Sequence, residues 1–255
     1  MRITRAVVPS LFTVLNIFCG FRSIIHSSQN DYVLAGWFII LAAVFDMLDG
    51  VMARITKSTS DFGVELDSLS DVVSFGAAPS FMLYNLQLHT LEGWGMLLSA
   101  MPMIFGSLRL ARFNVQLVGY DKDYFKGLPI PAMAITFVSF VLQYINDSNQ
   151  LPSLAVSILP YMIVILSLLM VSNIKYDTVP KFSKRGIKQH PLRFTVGIIG
   201  LTVIIMTKGA ALFPFFVFFL ATGPIRYVII FFSHHLRETD KIAESKDSEI
   251  TSIDI

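Results

Sequence analysis

Long apolar segments, separated by short polar connections, follow one another along almost the whole chain. A run of roughly 20 apolar residues is long enough to cross a bilayer as a helix. The pattern predicts an all-α integral membrane protein, a bundle of about eight transmembrane helices. The predicted spans are residues 8–27, 32–53, 66–86, 93–115, 130–146, 152–173, 193–207 and 210–232.

The composition agrees with this pattern. Of the 255 residues, 54% are hydrophobic and 15% are charged, and the mean hydropathy is +0.63, whereas soluble domains carry about 25% charged residues. No small-residue cleavage site follows the first apolar run, so we interpret it as a retained helix and not as a signal peptide. We predict a transmembrane domain over residues 1–235 and a polar, disordered cytoplasmic tail over residues 236–255.

Lysine and arginine residues alternate between the two sides of the predicted bundle. They precede the first span and follow the second, fourth and sixth spans, whereas the other connections have almost none apart from Lys208. Because positive residues favour the cytoplasm, we predict a multi-pass protein of the cytoplasmic (inner) membrane with both termini inside. The net charge of +2 does not indicate nucleic-acid binding, and Cys19, the only cysteine, excludes an intrachain disulfide.

Four aspartates interrupt the apolar pattern at the cytoplasmic ends of the second and third spans. Asp46 and Asp49 are three residues apart, and Asp67 and Asp71 are four apart, so each pair lies on one helical face. Carboxylates in a membrane segment are costly and mark functional or paired sites. Four of them together repel one another unless cations lie between them. Oxygen ligands suit Mg²⁺, Mn²⁺ or Ca²⁺, and Mg²⁺ is often shared with the phosphates of a substrate.

Small residues accompany these acids. Gly50, Ala53 and Gly63 either allow a ligand to approach closely or serve helix packing, as small residues do in membranes. Asp61 and Glu65 fall outside the best helical register, and we interpret them as solvated charges near a helix N-terminus.

Written as a pattern, the segment from Asp46 to Asp71 reads D-x2-D-G-x2-A-R-x8-G-x3-D-x3-D. This pattern resembles the signature of the CDP-alcohol phosphotransferase family at all of its fixed positions. The segments "LDSLSDVVSFGAAPS", "LRLARFN" and "FKGLPIPA" look like those of the membrane-embedded phosphatidylserine synthases of bacteria and archaea within that family. The resemblance covers about residues 9–185, which it implies to be the catalytic core, and leaves additional helices at about 190–232.

The resemblance implies that the phosphatidyl group of CDP-diacylglycerol is transferred to the hydroxyl of L-serine, giving phosphatidylserine and CMP. It implies that Asp46, Asp49 and Asp67 bind Mg²⁺ or Mn²⁺, as one or two ions, with Ca²⁺ as a non-productive occupant. By the same resemblance, Asp71 is the base and a ligand of a second metal ion. The residues implied to bind CDP-diacylglycerol are Thr13, Asn16, Gly50, Ala53, Arg54 and Gly63. One position departs from the family pattern, because Ser10 stands where an asparagine is usual.

The acceptor site is less well defined. Arg109 and Arg112 are three residues apart and lie on one helical face, where either pairs with the serine carboxylate or acts as a positive-inside anchor. Lys126 is a further serine-binding candidate. The resemblance also implies a homodimer. Two alternatives stay open: an enzyme with another acceptor, such as glycerol 3-phosphate, inositol phosphate or choline, and a cation transporter whose acids line an ion path.

Overall fold

The structure is a computed structural model that describes residues 7–56, 60–116, 124–177, 206–207 and 209–227. The α-helices within these residues are α1 (Val7–Ser28), α2 (Tyr32–Thr56), α3 (Asp61–Asp71), α4 (Ala78–Leu86), α5 (Glu92–Gln116), α6 (Ile130–Tyr144), α7 (Ser153–Val171) and α8 (Leu212–Tyr227). Two short strands are β1 (Tyr124–Lys126) and β2 (Lys175–Asp177). The predicted tail 236–255 and most of the predicted span 193–207 lie outside the described residues.

Most predicted spans correspond to single helices. The first, second, fourth, fifth and sixth spans coincide with α1, α2, α5, α6 and α7 to within a few residues, and α8 lies within the last span. By length and composition, three of the described helices can cross a membrane: Tyr32–Ala53, Leu88–Val115 and Ser153–Val171. α6 and α8 are shorter apolar helices. The helical membrane architecture is therefore confirmed, whereas the number of eight spans and the cytoplasmic termini stay predictions.

The distribution of polar residues on α1 is the reverse of that on a helix of a soluble protein. Leu11 and Phe18 are 57% and 54% exposed, whereas Thr13 and Asn16 are buried. Apolar side chains on the outer face are favoured where lipid, and not water, surrounds the bundle. Polar side chains then gather inside, where other helices can satisfy their hydrogen bonds.

The third predicted span, 66–86, begins earlier than expected. α3 starts at Asp61, because Ser60 caps the helix and its hydroxyl accepts a hydrogen bond from the Gly63 N–H at 3.1 Å. Asp61 lies in the first turn, where its charge complements the helix dipole as the sequence predicted.

The same predicted span is also not one regular α-helix. Between α3 and α4 the chain forms a π-helical turn, Val72–Ala77, in which the Ala78 N–H donates to the Val73 carbonyl. Pro79 has no N–H to donate to the carbonyl four residues before it, and this loss favours an irregular turn. The turn changes the rotation of α3 relative to α4 and so affects where the acids of α3 lie.

The helices pack so that α1, α2 and α3 meet around the aspartates. α1 lies along α2 and also contacts α3, the π-helical turn and α4. α5 packs against α7, α4 and the π-helical turn, while α6 packs against α2. The core of the bundle contains fully buried apolar side chains, among them Ile39, Phe75, Met133 and Phe137.

A short strand pair adds to the all-α architecture that the sequence predicted. β1 and β2 pair antiparallel and connect the segment between α5 and α6 to the chain that follows α7. The buried Tyr176 hydroxyl of β2 donates to the Leu220 carbonyl of α8 at 3.5 Å. Burial raises the pKa of this hydroxyl to about 12, so it stays protonated at physiological pH.

Candidate active site

The four aspartates of the sequence motif lie together where α2 and α3 meet. Asp46, Asp49 and Asp67 each offer a carboxylate oxygen, and these oxygens lie within 4.8 Å of one another. Asp71 is close enough to interact electrostatically with all three. The spacing along each helix explains the arrangement, because residues three or four apart project from one face.

The chemistry of this cluster fits a divalent cation. Oδ1 of Asp67 and Oδ1 of Asp71 are buried and accept no hydrogen bond from the residues that the structure describes. A buried carboxylate oxygen without a partner is costly, and a bound cation would remove that cost. Three carboxylates are hard oxygen ligands of the kind that Mg²⁺ and Mn²⁺ prefer. Asp46, Asp49 and Asp67 can therefore hold a metal ion.

α1 contributes two buried polar side chains, those of Thr13 and Asn16. The Thr13 hydroxyl donates a hydrogen bond to Oδ2 of Asp49 at 3.2 Å. Asn16, one turn further along α1, is fully buried, and its side-chain amide has no hydrogen-bond partner within the described ranges. Both residues were predicted to bind CDP-diacylglycerol, and Thr13 proves to contact the acidic cluster directly.

The small residues of the motif lie on open or lightly covered positions. Gly50 is exposed, and a Cβ atom at this position would meet nothing within 4 Å. A Cβ atom on Gly63 would lie 3.2 Å from the capping hydroxyl of Ser60. Ala53 is partly buried on α2, and Arg54 follows it with a side chain outside the described part of the molecule.

The two arginines of α5 have different surroundings, which the sequence could not distinguish. Arg109 is 6% exposed, interacts electrostatically with Asp71, and its guanidinium lies 5.5 Å from the ring centre of Phe113. Arg112 instead donates hydrogen bonds to the Val171 carbonyl at 2.9 Å and to the Ser172 carbonyl at 3.2 Å. Arg112 therefore satisfies carbonyl groups at the C-terminal end of α7.

The loop that contains Lys126 docks at the same end of α7. Lys126 belongs to β1, but its side chain lies outside the described part of the molecule. Gly127 follows with φ +79°, and its N–H donates to the Ile174 carbonyl at 2.8 Å. A Cβ atom on Gly127 would overlap the Met170 carbonyl oxygen, so only glycine fits both this conformation and this contact.

Sequence reasoning missed four polar residues that join α3 and the π-helical turn to neighbouring helices. Ser70 and Ser74 donate hydrogen bonds to the backbone of α1, and the Asn114 amide donates to the Ser68 hydroxyl at 2.9 Å, which joins α5 to α3. The four-residue spacing of Ser70 and Ser74 indicates a shared helical face. Their partners are backbone atoms more than 50 residues away, which no local pattern could identify.

Residues 6–172 match the CDP-alcohol phosphatidyltransferase family, and the chain belongs to this family of divalent-metal-dependent membrane proteins. Within the family, it is similar to curated proteins named CDP-diacylglycerol–serine O-phosphatidyltransferase. The Helicobacter pylori (strain J99) protein is 39% identical over 222 residues, which cover 87% of this chain and 91% of that protein. The Methanocaldococcus jannaschii protein is 44% identical over 174 residues, covering 68% of this chain and 75% of that protein.

The fold also resembles a solved structure of a different enzyme. Mycobacterium tuberculosis phosphatidylinositol phosphate synthase, crystallised with CDP-DAG bound, matches with a TM-score of 0.50 at 19% sequence identity. The match covers 66% of this chain and 83% of that chain. At this identity the likeness supports the shared fold only.

Proposed function

We propose that this protein is a phosphatidyltransferase that moves the phosphatidyl group of CDP-diacylglycerol onto the hydroxyl of L-serine, releasing CMP. The observation that carries the proposal is the convergence of Asp46, Asp49, Asp67 and Asp71. The relatives named for this activity match this chain over most of their length. The class of reaction follows from the family, and the choice of serine follows from the relatives.

The carboxylates of Asp46, Asp49 and Asp67 would hold Mg²⁺ or Mn²⁺, as one or two ions. A divalent cation held there would neutralise charge that develops on the pyrophosphate. The close approach of three carboxylate oxygens supports this role.

Asp71 is proposed to accept the proton of the serine hydroxyl. The serine oxygen attacks the phosphorus that carries diacylglycerol, and the bond from that phosphorus to the bridging oxygen breaks, so that CMP leaves with the electron pair. A phosphate with a second pKa of about 6 leaves without being protonated, whereas an alcohol nucleophile benefits from a positioned base. The burial of Asp71 and its unpartnered Oδ1 within the described residues support this assignment.

Arg109 is the residue that we assign to the serine carboxylate. Its buried guanidinium interacts with Asp71, which places a cation near the proposed base, and guanidinium groups bind carboxylates through two parallel hydrogen bonds. Arg112, which caps α7, is assigned a supporting role. Lys126 stays a serine-binding candidate from the sequence.

The donor is proposed to bind among α1, α2 and α3. Thr13, Asn16, Gly50, Ala53, Arg54 and Gly63 would line its nucleotide and phosphate groups. Two observations support a ligand here. The Asn16 amide has no hydrogen-bond partner among the described residues, and the space around Gly50 is open. The diacylglycerol tails would remain in the lipid beside the apolar outer faces of the helices.

The placement of the protein in the membrane extends the proposal. The distribution of lysine and arginine favours eight spans in the cytoplasmic membrane, with both termini and the active site facing the cytoplasm. A homodimer is a prediction from the family resemblance, and the mass of the purified protein in detergent would test it.

The experiment is an acceptor screen with purified protein, CDP-diacylglycerol and Mg²⁺ or Mn²⁺, in which CMP release is measured. L-serine is compared with glycerol 3-phosphate, inositol phosphate and choline, and EDTA provides the metal-free control. Release with serine alone is the expected result. Release with another acceptor would overturn the assignment of serine, and a protein that releases no CMP with any acceptor would favour the cation transporter.

A further inference from the structure

Two buried serine hydroxyls attach the acid-bearing helix to α1. Ser70 donates a hydrogen bond to the Thr13 carbonyl at 3.2 Å, and Ser74 donates to the Asn16 carbonyl at 2.8 Å. Both serines are fully buried. One acceptor carbonyl belongs to Thr13, whose hydroxyl also donates to Asp49. The two contacts therefore connect the part of α1 that touches the acidic cluster to α3 and to the π-helical turn that follows it.

Gly20 makes the closer of these contacts sterically feasible. A Cβ atom on Gly20 would lie 2.5 Å from the Ser74 hydroxyl oxygen and 2.7 Å from the Ser74 Cα atom. Moving the hydroxyl alone would not relieve this overlap, because the Cα atom belongs to the backbone. The absence of a side chain at Gly20 therefore lets α1 and the π-helical turn approach closely enough for the hydrogen bond.

The position of Ser74 within the chain gives this contact its consequence. Ser74 lies in the π-helical turn Val72–Ala77, which begins directly after Asp71. A π-helical turn interrupts the regular rotation of a helix, so α4 does not by itself fix the rotation of α3. The hydrogen bonds of Ser70 and Ser74 to α1 supply a second point of attachment.

We infer that Ser74, supported by Ser70 and by the space at Gly20, is a positioning residue that sets the height and rotation of α3 against α1 and α2. Its contact brings Asp67 to the oxygens of Asp46 and Asp49 and directs Asp71 toward the same cluster. The inference rests on the proposed function only in taking these aspartates to be the metal-binding group.

The test compares Ser74→Ala with Ser80→Ala in the full-length purified protein. Ser80 is also buried, but its hydroxyl has no hydrogen-bond partner among the described residues. Ser80→Ala therefore also removes a buried serine hydroxyl, but it breaks no bond between α1 and α3. The readout is the dissociation constant of Mn²⁺, measured by the loss of the free-ion signal in electron paramagnetic resonance without substrates.

Ser74→Ala is expected to weaken Mn²⁺ binding about fivefold, as the loss of one hydrogen bond suggests, while Ser80→Ala binds Mn²⁺ like the wild type. Equal Mn²⁺ affinity in the two variants would overturn the inference. If Ser74→Ala does not fold, Ser70→Ala, which breaks the longer bond, is measured instead, and unchanged affinity there would equally overturn it.

Parallel measurement of CMP release separates this inference from the proposed function. A wild-type protein that binds Mn²⁺ but releases no CMP with serine contradicts the proposed function. In that case the Mn²⁺ dissociation constants of the two variants still test the role of Ser74. A wild-type protein that releases CMP, together with Ser74→Ala that matches Ser80→Ala in Mn²⁺ affinity, contradicts only the positioning role.

Discussion

The Thr13 hydroxyl donates a hydrogen bond to Oδ2 of Asp49 at 3.2 Å, which joins the first helix of the bundle to the acids of the second. This contact orients one carboxylate oxygen of Asp49. A hydrogen bond to a charged group contributes more than one between neutral groups. Thr13 therefore supports the proposed metal-binding group as well as belonging to the proposed donor pocket.

Replacing Thr13 by valine tests this relationship, because valine keeps the shape of threonine without the hydroxyl. Mn²⁺ binding is expected to weaken about tenfold, since the orienting hydrogen bond to a carboxylate is lost. Titration of the purified variant with Mn²⁺ measures the change. The matched control is Thr136→Val, because the Thr136 hydroxyl donates only within α6, to the Ala132 carbonyl. Equal affinities in the two variants would show that Thr13 does not orient Asp49.

Asp71→Asn is expected to reduce turnover by about 10²–10⁴-fold, the usual contribution of a general base, while CDP-diacylglycerol still binds. Asp46→Asn and Asp67→Asn remove charges from the metal-binding group and are expected to weaken binding of both Mn²⁺ and CDP-diacylglycerol. Single-turnover CMP release and equilibrium lipid binding give the two quantities. A similar loss of lipid binding in all three variants would remove the special role of Asp71.

The two arginines of α5 offer a pair of charge-preserving substitutions. Arg109→Lys is expected to raise the KM for serine about tenfold, because lysine cannot form the two parallel hydrogen bonds of a guanidinium. Arg112→Lys is expected to lower the Tm and leave that KM unchanged, since Arg112 caps the end of α7. Steady-state kinetics and thermal unfolding distinguish the two effects. A raised KM in Arg112→Lys alone would transfer the serine carboxylate to that residue.

Removal of the metal ion is expected to stop CMP release and to lower the Tm, because the clustered carboxylates then repel one another without a cation. Mg²⁺ or Mn²⁺ should restore both quantities. Ca²⁺ should restore the Tm but not turnover, because it binds oxygen ligands at longer and more variable distances. The assay is thermal unfolding and CMP release after EDTA treatment and readdition of each ion. An unchanged Tm after EDTA would argue against a bound cation at this cluster.

Gly127→Ala is expected to destabilise the protein by about 1–3 kcal/mol, owing to strain at φ +79° and overlap with the Met170 carbonyl. Gly209 is a matched control, because it has φ +94° and a Cβ atom there would meet nothing within 4 Å. Gly209→Ala therefore introduces the strain without the overlap. Chemical denaturation of both variants measures the difference, and equal destabilisation would mean that the contact with α7 is unimportant.

Much of the acidic cluster could be predicted from the sequence, since helical spacing alone places Asp46 with Asp49 and Asp67 with Asp71. The apolar runs likewise predicted most helices. The start of α3 was misplaced because the capping bond from Gly63 to Ser60 lies outside the apolar run. The π-helical turn could not be predicted, because the apolar pattern continues through it without a break.

The different roles of Arg109 and Arg112 could not be predicted from the sequence. Both have the same charge and lie on one helical face, but the carbonyls that bind Arg112 belong to Val171 and Ser172. Such partners lie about 60 residues away along the chain and become neighbours only when α5 and α7 pack together. The strand pair β1–β2 arises from the same packing and has three residues on each side, too few to give a pattern.

The order of the contacts along the chain sets an order for assembly during synthesis. The four aspartates, Thr13 and the two serines that bond to α1 all lie within the first 74 residues. The ribosome has therefore produced every part of the acidic cluster before α5 is made. Arg112 caps α7 through the carbonyls of Val171 and Ser172. These two residues are synthesised about 60 residues after Arg112. A nascent chain that stalls between these points would carry all four aspartates, whereas Arg112 would still lack these two carbonyl partners.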